Sequence, residues 1–188
     1  MGRASKEVAA ENRAKVVAMA SDLFRQKGTD GVGIAELMGA AGLTHGGFYK
    51  QFGSRDALAG EACTHAFDGA ERTWAGLAEG DDAGRLQRIT ERYFSASQHG
   101  RRCPMVTLSI DAARAPVSSP LRKAFADGLR RLASVITRQR RDDQALAVLA
   151  AMVGAVVLRR ASHDAELSGA IDEAVSRLAA SYDHRSTT

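Results

Sequence analysis

The sequence predicts an all-α protein of about nine helices, three small ones leading into a larger helical bundle, and three observations carry that prediction. Helix formers, above all alanine and leucine, outnumber the β-branched and aromatic residues that strands favour, and aromatic residues make up only 5% of the chain. Only three prolines interrupt 188 residues that are 45% hydrophobic, enough to bury a proper core. Apolar residues recur at three- and four-residue spacing through most of the chain.

The first helix is read from VVAMASDLFRQKG, which puts Val16, Ala20, Leu23 and Phe24 on one face and ends at Gly28 after about five turns. A glycine-rich turn follows, then a short apolar segment from Ile34 to Ala41, a tight Gly42-Leu43 connection, and a second short segment with Thr44 as its N-cap. Two short helices joined by such a turn have the dimensions of a helix-turn-helix. Ser54 is placed to cap a longer helix running through Leu58, Ala62, Ala66 and Ala70 towards Trp74, with Asp56 favoured in its first turn. The remaining punctuation marks helices at Asp82 to His99, Pro104 to Arg114, Pro120 to Arg141, Asp143 to Ala161 and Ala165 to Tyr182.

Gly46 and Gly47 stand together near the start of the second short helix, directly before Phe48 and Tyr49. Glycine inside a helix costs about 0.5–1 kcal/mol relative to alanine, so the pair marks either a loop or a helix that something approaches closely. A recognition helix offers its N-terminal end to base edges while neighbouring donors hold phosphates, and Thr44, His45, Tyr49, Lys50, Gln51 and Arg55 supply such groups. Bare Gly46 and Gly47 then let backbone and duplex come close.

Leu23-Phe24, Gly28, Ala41-Gly42-Leu43-Thr44, Tyr49 and Phe52 three apart, and Arg55 with Leu58 occur in that order over about 45 residues. This segment resembles the N-terminal DNA-binding domain of the TetR (tetracycline-repressor) family of bacterial transcriptional regulators. The resemblance implies a helix-turn-helix DNA-binding domain at residues 1–58 and a helical effector-binding and dimerisation domain at 59–188. It implies a homodimeric regulator, most simply a repressor, that binds a palindromic double-stranded DNA operator and is released by a small-molecule inducer or an oxidant. Tyr49 takes a phosphate-bonding role, His45 and Lys50 read base edges or hold phosphate, and Phe48 and Phe52 pack the core. The chain departs from the family at Val32-Gly33, where a hydroxyl pair is usual, which leaves the Gly33 backbone N–H as the phosphate donor. Gln51 also replaces a common histidine, and Gly47 a threonine or serine. Residues 1–60 hold eight Lys or Arg against six Asp or Glu, so geometry rather than charge must carry DNA binding.

Beyond residue 60 only physical reading applies. ALAVLAAMVGAVVL, residues 145–158, is apolar on every face, which predicts a helix buried on all sides, either within one chain or partly by a second molecule. Ala147, Ala151, Gly154 and Ala155, with Ile171, Val175 and Leu178 of the last helix, are assigned to a two-fold dimer interface. Phe67, Trp74, Phe94, Met105 and Leu108 are candidates for core or for the wall of an inducer pocket. The stretch from Arg122 to Arg141 carries seven basic residues on one half, read as a solvated face or a surface for an anionic partner.

In RRCPM, Pro104 suits the first position of a helix and makes Cys103 its N-cap beside Arg101 and Arg102. Both features favour a thiolate, so Cys103 is either a sensor of oxidants or electrophiles or a packing residue. A competing function is a thiol-based enzyme or redox protein built around Cys103, which requires a base or resolving thiol nearby. Otherwise the sequence offers no catalytic, metal or cofactor site: His99 and Cys103 are split by Gly100 and the Pro104 break, and Ser162, His163 and Asp164 point three ways on a helix. A net charge of +4 and a pI near 9.4 permit an anionic partner without demanding one. The apolar runs are too short for a membrane span, no secretory pattern opens the chain, and Cys63 and Cys103 are expected as thiols in the cytoplasm.

Overall fold

The protein is described here from a computed structural model covering residues 2–79, 84–98, 103–137 and 143–185. These residues form ten α-helices and one 3-10 turn, with no strand among them. In order they are α1 (Gly2–Lys27), α2 (Ile34–Ala40), the 3-10 turn His45–Gly47, α3 (Phe48–Phe52), α4 (Arg55–Ala78), α5 (Arg85–Gln98), α6 (Pro104–Thr107), α7 (Ser109–Arg114), α8 (Pro120–Ile136), α9 (Asp143–Ser162) and α10 (Ala165–Arg185). The chain folds as two compact units, Met1–Asp68 with Thr107–Gly128, and Gly69–Val106 with Leu129–Thr188.

The first unit is built on local signals. α1 starts well before the apolar pattern at Val16 and ends where Gly28, at φ 75°, donates its N–H to the Phe24 carbonyl at 2.9 Å. α2 closes in a Schellman motif: Gly42 at φ 72° donates to Gly39 O at 2.9 Å and Leu43 to Met38 O at 2.8 Å, so the glycine reverses the chain at no steric cost. Ser54 Oγ accepts the Ala57 N–H at 3.0 Å and caps α4. Val16, Ala20, Phe24, Leu37, Met38, Phe48, Phe52 and Leu58 are buried in this unit's core. Two glycines bring α8 against α4: a Cβ on Gly60 would stand 2.9 Å from Pro120, and one on Gly128 would overlap the Phe67 ring at 2.2 Å.

In the second unit α5, α9 and α10 pack on one another. The buried Asp183 of α10 accepts the N–H groups of Leu86 and Gln87 at 3.3 and 2.9 Å, capping α5 from a distance in sequence. Arg159 of α9 pairs with Asp172 of α10 at 2.7 Å and with Ser97 Oγ of α5.

Two expectations are corrected, and for α9 one of two alternatives, burial wholly within the chain, is removed. The helix expected from Pro104 to Arg114 breaks at Leu108, giving α6 and α7. The helix read as starting at Thr44 opens with a 3-10 turn, and Thr44 makes no side-chain cap. α9 is not buried on all sides within the chain: Ala145, Val148, Leu149, Met152, Ala155 and Val156 face the core, while Leu146, Ala147, Ala150, Val157 and Leu158 are exposed. By length and composition alone α9 is apolar enough to cross a membrane, the one such helix among the described residues, yet one of its faces is core. Arg138, Arg140, Arg141, His99, Arg101 and Arg102 lie outside the described residues.

Candidate nucleic-acid interface

The candidate interface grows from the turn that ends α2. The Schellman motif turns the chain into Thr44, extended at φ −82° and ψ 146°, and the 3-10 turn then starts with Gly47 N–H on Thr44 O at 3.2 Å. Phe48 and Phe52 anchor α3 inward, both buried and with ring centroids 5.6 Å apart. Arg13 of α1 braces this helix from behind: it lies 4.7 Å from the Phe52 centroid, donates to Gln51 O at 3.3 Å, and forks onto both carboxylate oxygens of Glu61 on α4. The Glu61 bond holds the Arg13 guanidinium more firmly protonated than usual.

With Phe48 and Phe52 turned in, the remaining side chains of the segment turn out. Thr44, His45, Gly46 and Lys50 are exposed, Gly47 and Gln51 half-buried, and Tyr49 is 62% exposed with its ring edge-on to Phe48. Neither glycine answers an internal need. Both avoid positive φ, a Cβ on Gly46 would meet nothing within 4 Å, and one on Gly47 would make an ordinary 3.6 Å contact with Met38 Cε. At the other end of α2, Gly33 is an exposed, extended N-cap with no side-chain cap and open space where a Cβ would be. Val32 beside it is core.

Arg55 has a role the sequence did not show: its Nη2 donates to the carbonyls of Thr29 and, at 2.5 Å, Val32, so the guanidinium grips the α1–α2 turn.

Residues 16–62 match the profile of bacterial regulatory proteins of the tetR family. These residues form a tetR-family DNA-binding domain. Through that helix-turn-helix the chain is a DNA-binding transcriptional regulator. Solved structures agree at the level of fold. A TetR transcriptional regulator from Chloroflexus aurantiacus is 24% identical, with a TM-score of 0.75 over 92% of this chain and 94% of its own. E. coli NemR in its reduced form is 22% identical, with a TM-score of 0.75 over 88% and 95%. The multidrug binding protein EbrR complexed with imidazole is 22% identical, with a TM-score of 0.66 over 88% and 93%. No curated protein matches the chain by sequence.

The other candidate residues fall into separate groups. Phe67 and Leu108 are core of the first unit, whereas Trp74, Phe94 and Met105 are core of the second. Trp74 and Phe94 flank Tyr93, with centroids 6.1 and 6.0 Å from its ring. Tyr93 stands seven and four residues on from Leu86 and Ile89, and nothing local in the sequence sets it apart. Its hydroxyl is buried beside the Cys103 thiol, and burial first, then Cys103, pushes it far above the ordinary tyrosine range. The described surroundings of Cys103 run against its expected activation. Burial pushes its thiol up, outweighing the Tyr93 hydroxyl, the Val106 and Met105 N–H groups and Arg160, and α6 is only four residues long. Of the dimer candidates, Ala155 and Val175 are buried in their own unit, because they lie on the core stripes of α9 and α10. Ala147 and Leu178 are exposed, and Ala151, Gly154 and Ile171 half-buried.

Proposed function

We propose that this regulator is a repressor that binds a palindromic operator as a homodimer in the cytoplasm, with residues 1–58 reading DNA and residues 59–188 binding a small-molecule inducer and pairing the subunits. One observation carries the DNA-reading assignment: an exposed His45-Gly46-Gly47 turn whose glycines have no cause inside the chain, followed by outward Tyr49 and Lys50. Bare backbone there suits close approach to a duplex, with Tyr49 on phosphate, His45 and Lys50 on base edges or phosphate, and the Gly33 N–H on phosphate at the start of α2.

Pairing is supported by the outer half of α9. Plotted at 100° per residue, Ala147, Ala150 and Gly154 form a low centre bordered by Leu146, Val157 and Leu158, a shape that a second helix can approach closely. The fold-level likeness to EbrR supports a small-molecule trigger. A thiol trigger or thiol enzyme at Cys103 is disfavoured by its raised pKa. An inducer acts only through different affinities for the DNA-binding and released conformations.

Selection of duplexes from a random-sequence pool by the full chain tests the DNA assignment. Tyr49→Phe is expected to weaken selected and unrelated duplexes alike, by about fivefold, the worth of one hydrogen bond of about 1 kcal/mol. Lys50→Ala is expected to broaden the selected sequences as well. Unchanged affinity in Tyr49→Phe refutes the phosphate role.

A further inference from the structure

The turn between α1 and α2 is gripped from two sides by residues remote in sequence. From α4, Arg55 binds the carbonyls of Thr29 and Val32. From α7, Asp111 Oδ2 accepts the Thr29 N–H at 2.7 Å, and the same carboxylate would stand 3.4 Å from a Cβ on Gly28. Thr29 therefore has its N–H bound by one element and its carbonyl by another. Little slack remains: Gly28 sits at φ 75°, and a Cβ on Gly31 would overlap the Lys27 carbonyl at 2.2 Å. Four residues after Thr29 the chain reaches Gly33, the exposed N-cap of α2.

The carboxylate meets opposing fields: it stands in the first turn of α7, which favours an anion, and against the end of α1. The C-terminal end of α1 carries negative partial charge, which disfavours an anion, and the two cations of its last turn bond Asp22 and, at 2.6 Å, Glu36. A neutral acceptor would satisfy the Thr29 N–H without that cost. What the charge adds is a stronger, shorter bond and so a firmer hold on the position of the turn.

We propose that Asp111 is a positioning residue for DNA binding: through the Thr29 N–H, α7 sets the α1–α2 turn and with it the N-terminus of α2. Movement of α7 then changes how that end of α2 meets a duplex. The inference rests on the DNA-binding reading above. The start of α8, five residues beyond α7, is held without Asp111: Ser119 bonds Asp56 at 2.8 Å, and Pro120 and Phe125 pack on Gly60 and Phe67.

The test compares the full-length wild type, Asp111→Ala and Asp111→Asn on a duplex selected from a random pool by the wild type, alongside Thr29 amide exchange and the melting midpoint. Asp111→Ala is expected to free the Thr29 amide and weaken duplex binding about tenfold or more, as for loss of a bond to a charged group, with a midpoint shift under about 4 °C. Asp111→Asn keeps an acceptor and is expected to restore most of the affinity. A freed Thr29 amide with unchanged affinity overturns the proposal, and so does an affinity loss in Asp111→Asn while its Thr29 amide stays protected. Should Asp111→Ala melt below the assay temperature, Asp111→Asn decides: faster Thr29 exchange with weaker binding supports the proposal, and faster exchange with unchanged binding overturns it. A wild type that selects no duplex removes the DNA-binding reading itself, and this proposal with it.

Discussion

Replacing Gly46 by alanine should make the protein more stable and a poorer DNA binder. Backbone and surroundings both accept a methyl group, because φ is not positive and a Cβ would meet nothing within 4 Å. Alanine is favoured over glycine in helical conformation by about 0.4–1 kcal/mol, and the 3-10 geometry of His45–Gly47 argues for the low end. For a chain of this length that is a rise in melting midpoint of about 1–3 °C. A methyl group forced into a close-packed contact costs about 1–3 kcal/mol, so affinity for a selected duplex should fall about 5- to 150-fold. Thermal unfolding followed by circular dichroism reads the first change, and fluorescence anisotropy with a labelled duplex at fixed salt reads the second. Affinity within twofold of wild type, in a variant that is measurably more stable, refutes the argument that bare backbone is kept for the duplex.

Gly128→Ala should act in the opposite way, since the methyl overlaps the Phe67 ring at 2.2 Å: we expect a loss of about 3 kcal/mol, far above the propensity gain, seen as a lower denaturant midpoint. Gly154→Arg adds a charge on the outer half of α9, where a Cβ meets open space, so sedimentation should show folded monomers; an intact dimer moves the interface elsewhere. Cys103 should alkylate slowly at pH 8, and it should add an alkaline weakness. Its folded pKa is raised, so the unfolded chain loses the thiol proton first. Stability from this group is then complete below about pH 8.5 and falls as pH rises from there towards the folded value. Cys103→Ala should flatten that part of the stability profile, and an unaltered profile refutes the burial argument.

Features set within a few residues were legible in the sequence. Gly28, Gly42 and Ser54 act on their own helix ends through one or two hydrogen bonds, and they stand where their residue types require. The inward Phe48 and Phe52 followed from the burial preference of phenylalanine, and the outward Tyr49 and Lys50 from the family resemblance. What escaped depends on pairing across the chain. Asp111 meets Thr29 across 82 residues, and Arg13 meets Glu61 across 48, with nothing local to announce either bond. α9 misled for another reason: where every position is apolar, periodicity holds no phase, so Ala155 could not be told from Ala151. Cys103 was judged by its neighbours in sequence, whereas burial, which raises its thiol pKa, and Tyr93, which lowers it, come from the fold.

The first compact unit is made of two separated stretches of chain, and this governs how the molecule is made and how it is re-engineered. On the ribosome, Met1–Asp68 emerges long before Thr107–Gly128, so Phe67 waits for its Phe125 neighbour and Thr29 for its Asp111 until the intervening residues have been synthesised. A graft that exchanges only residues 1–58 between two regulators would join one protein's Thr29 and Asp56 to another's residues at 111 and 119. A transplant that keeps the native grip on the α1–α2 turn must carry Thr107–Gly128 with it, as a second insert.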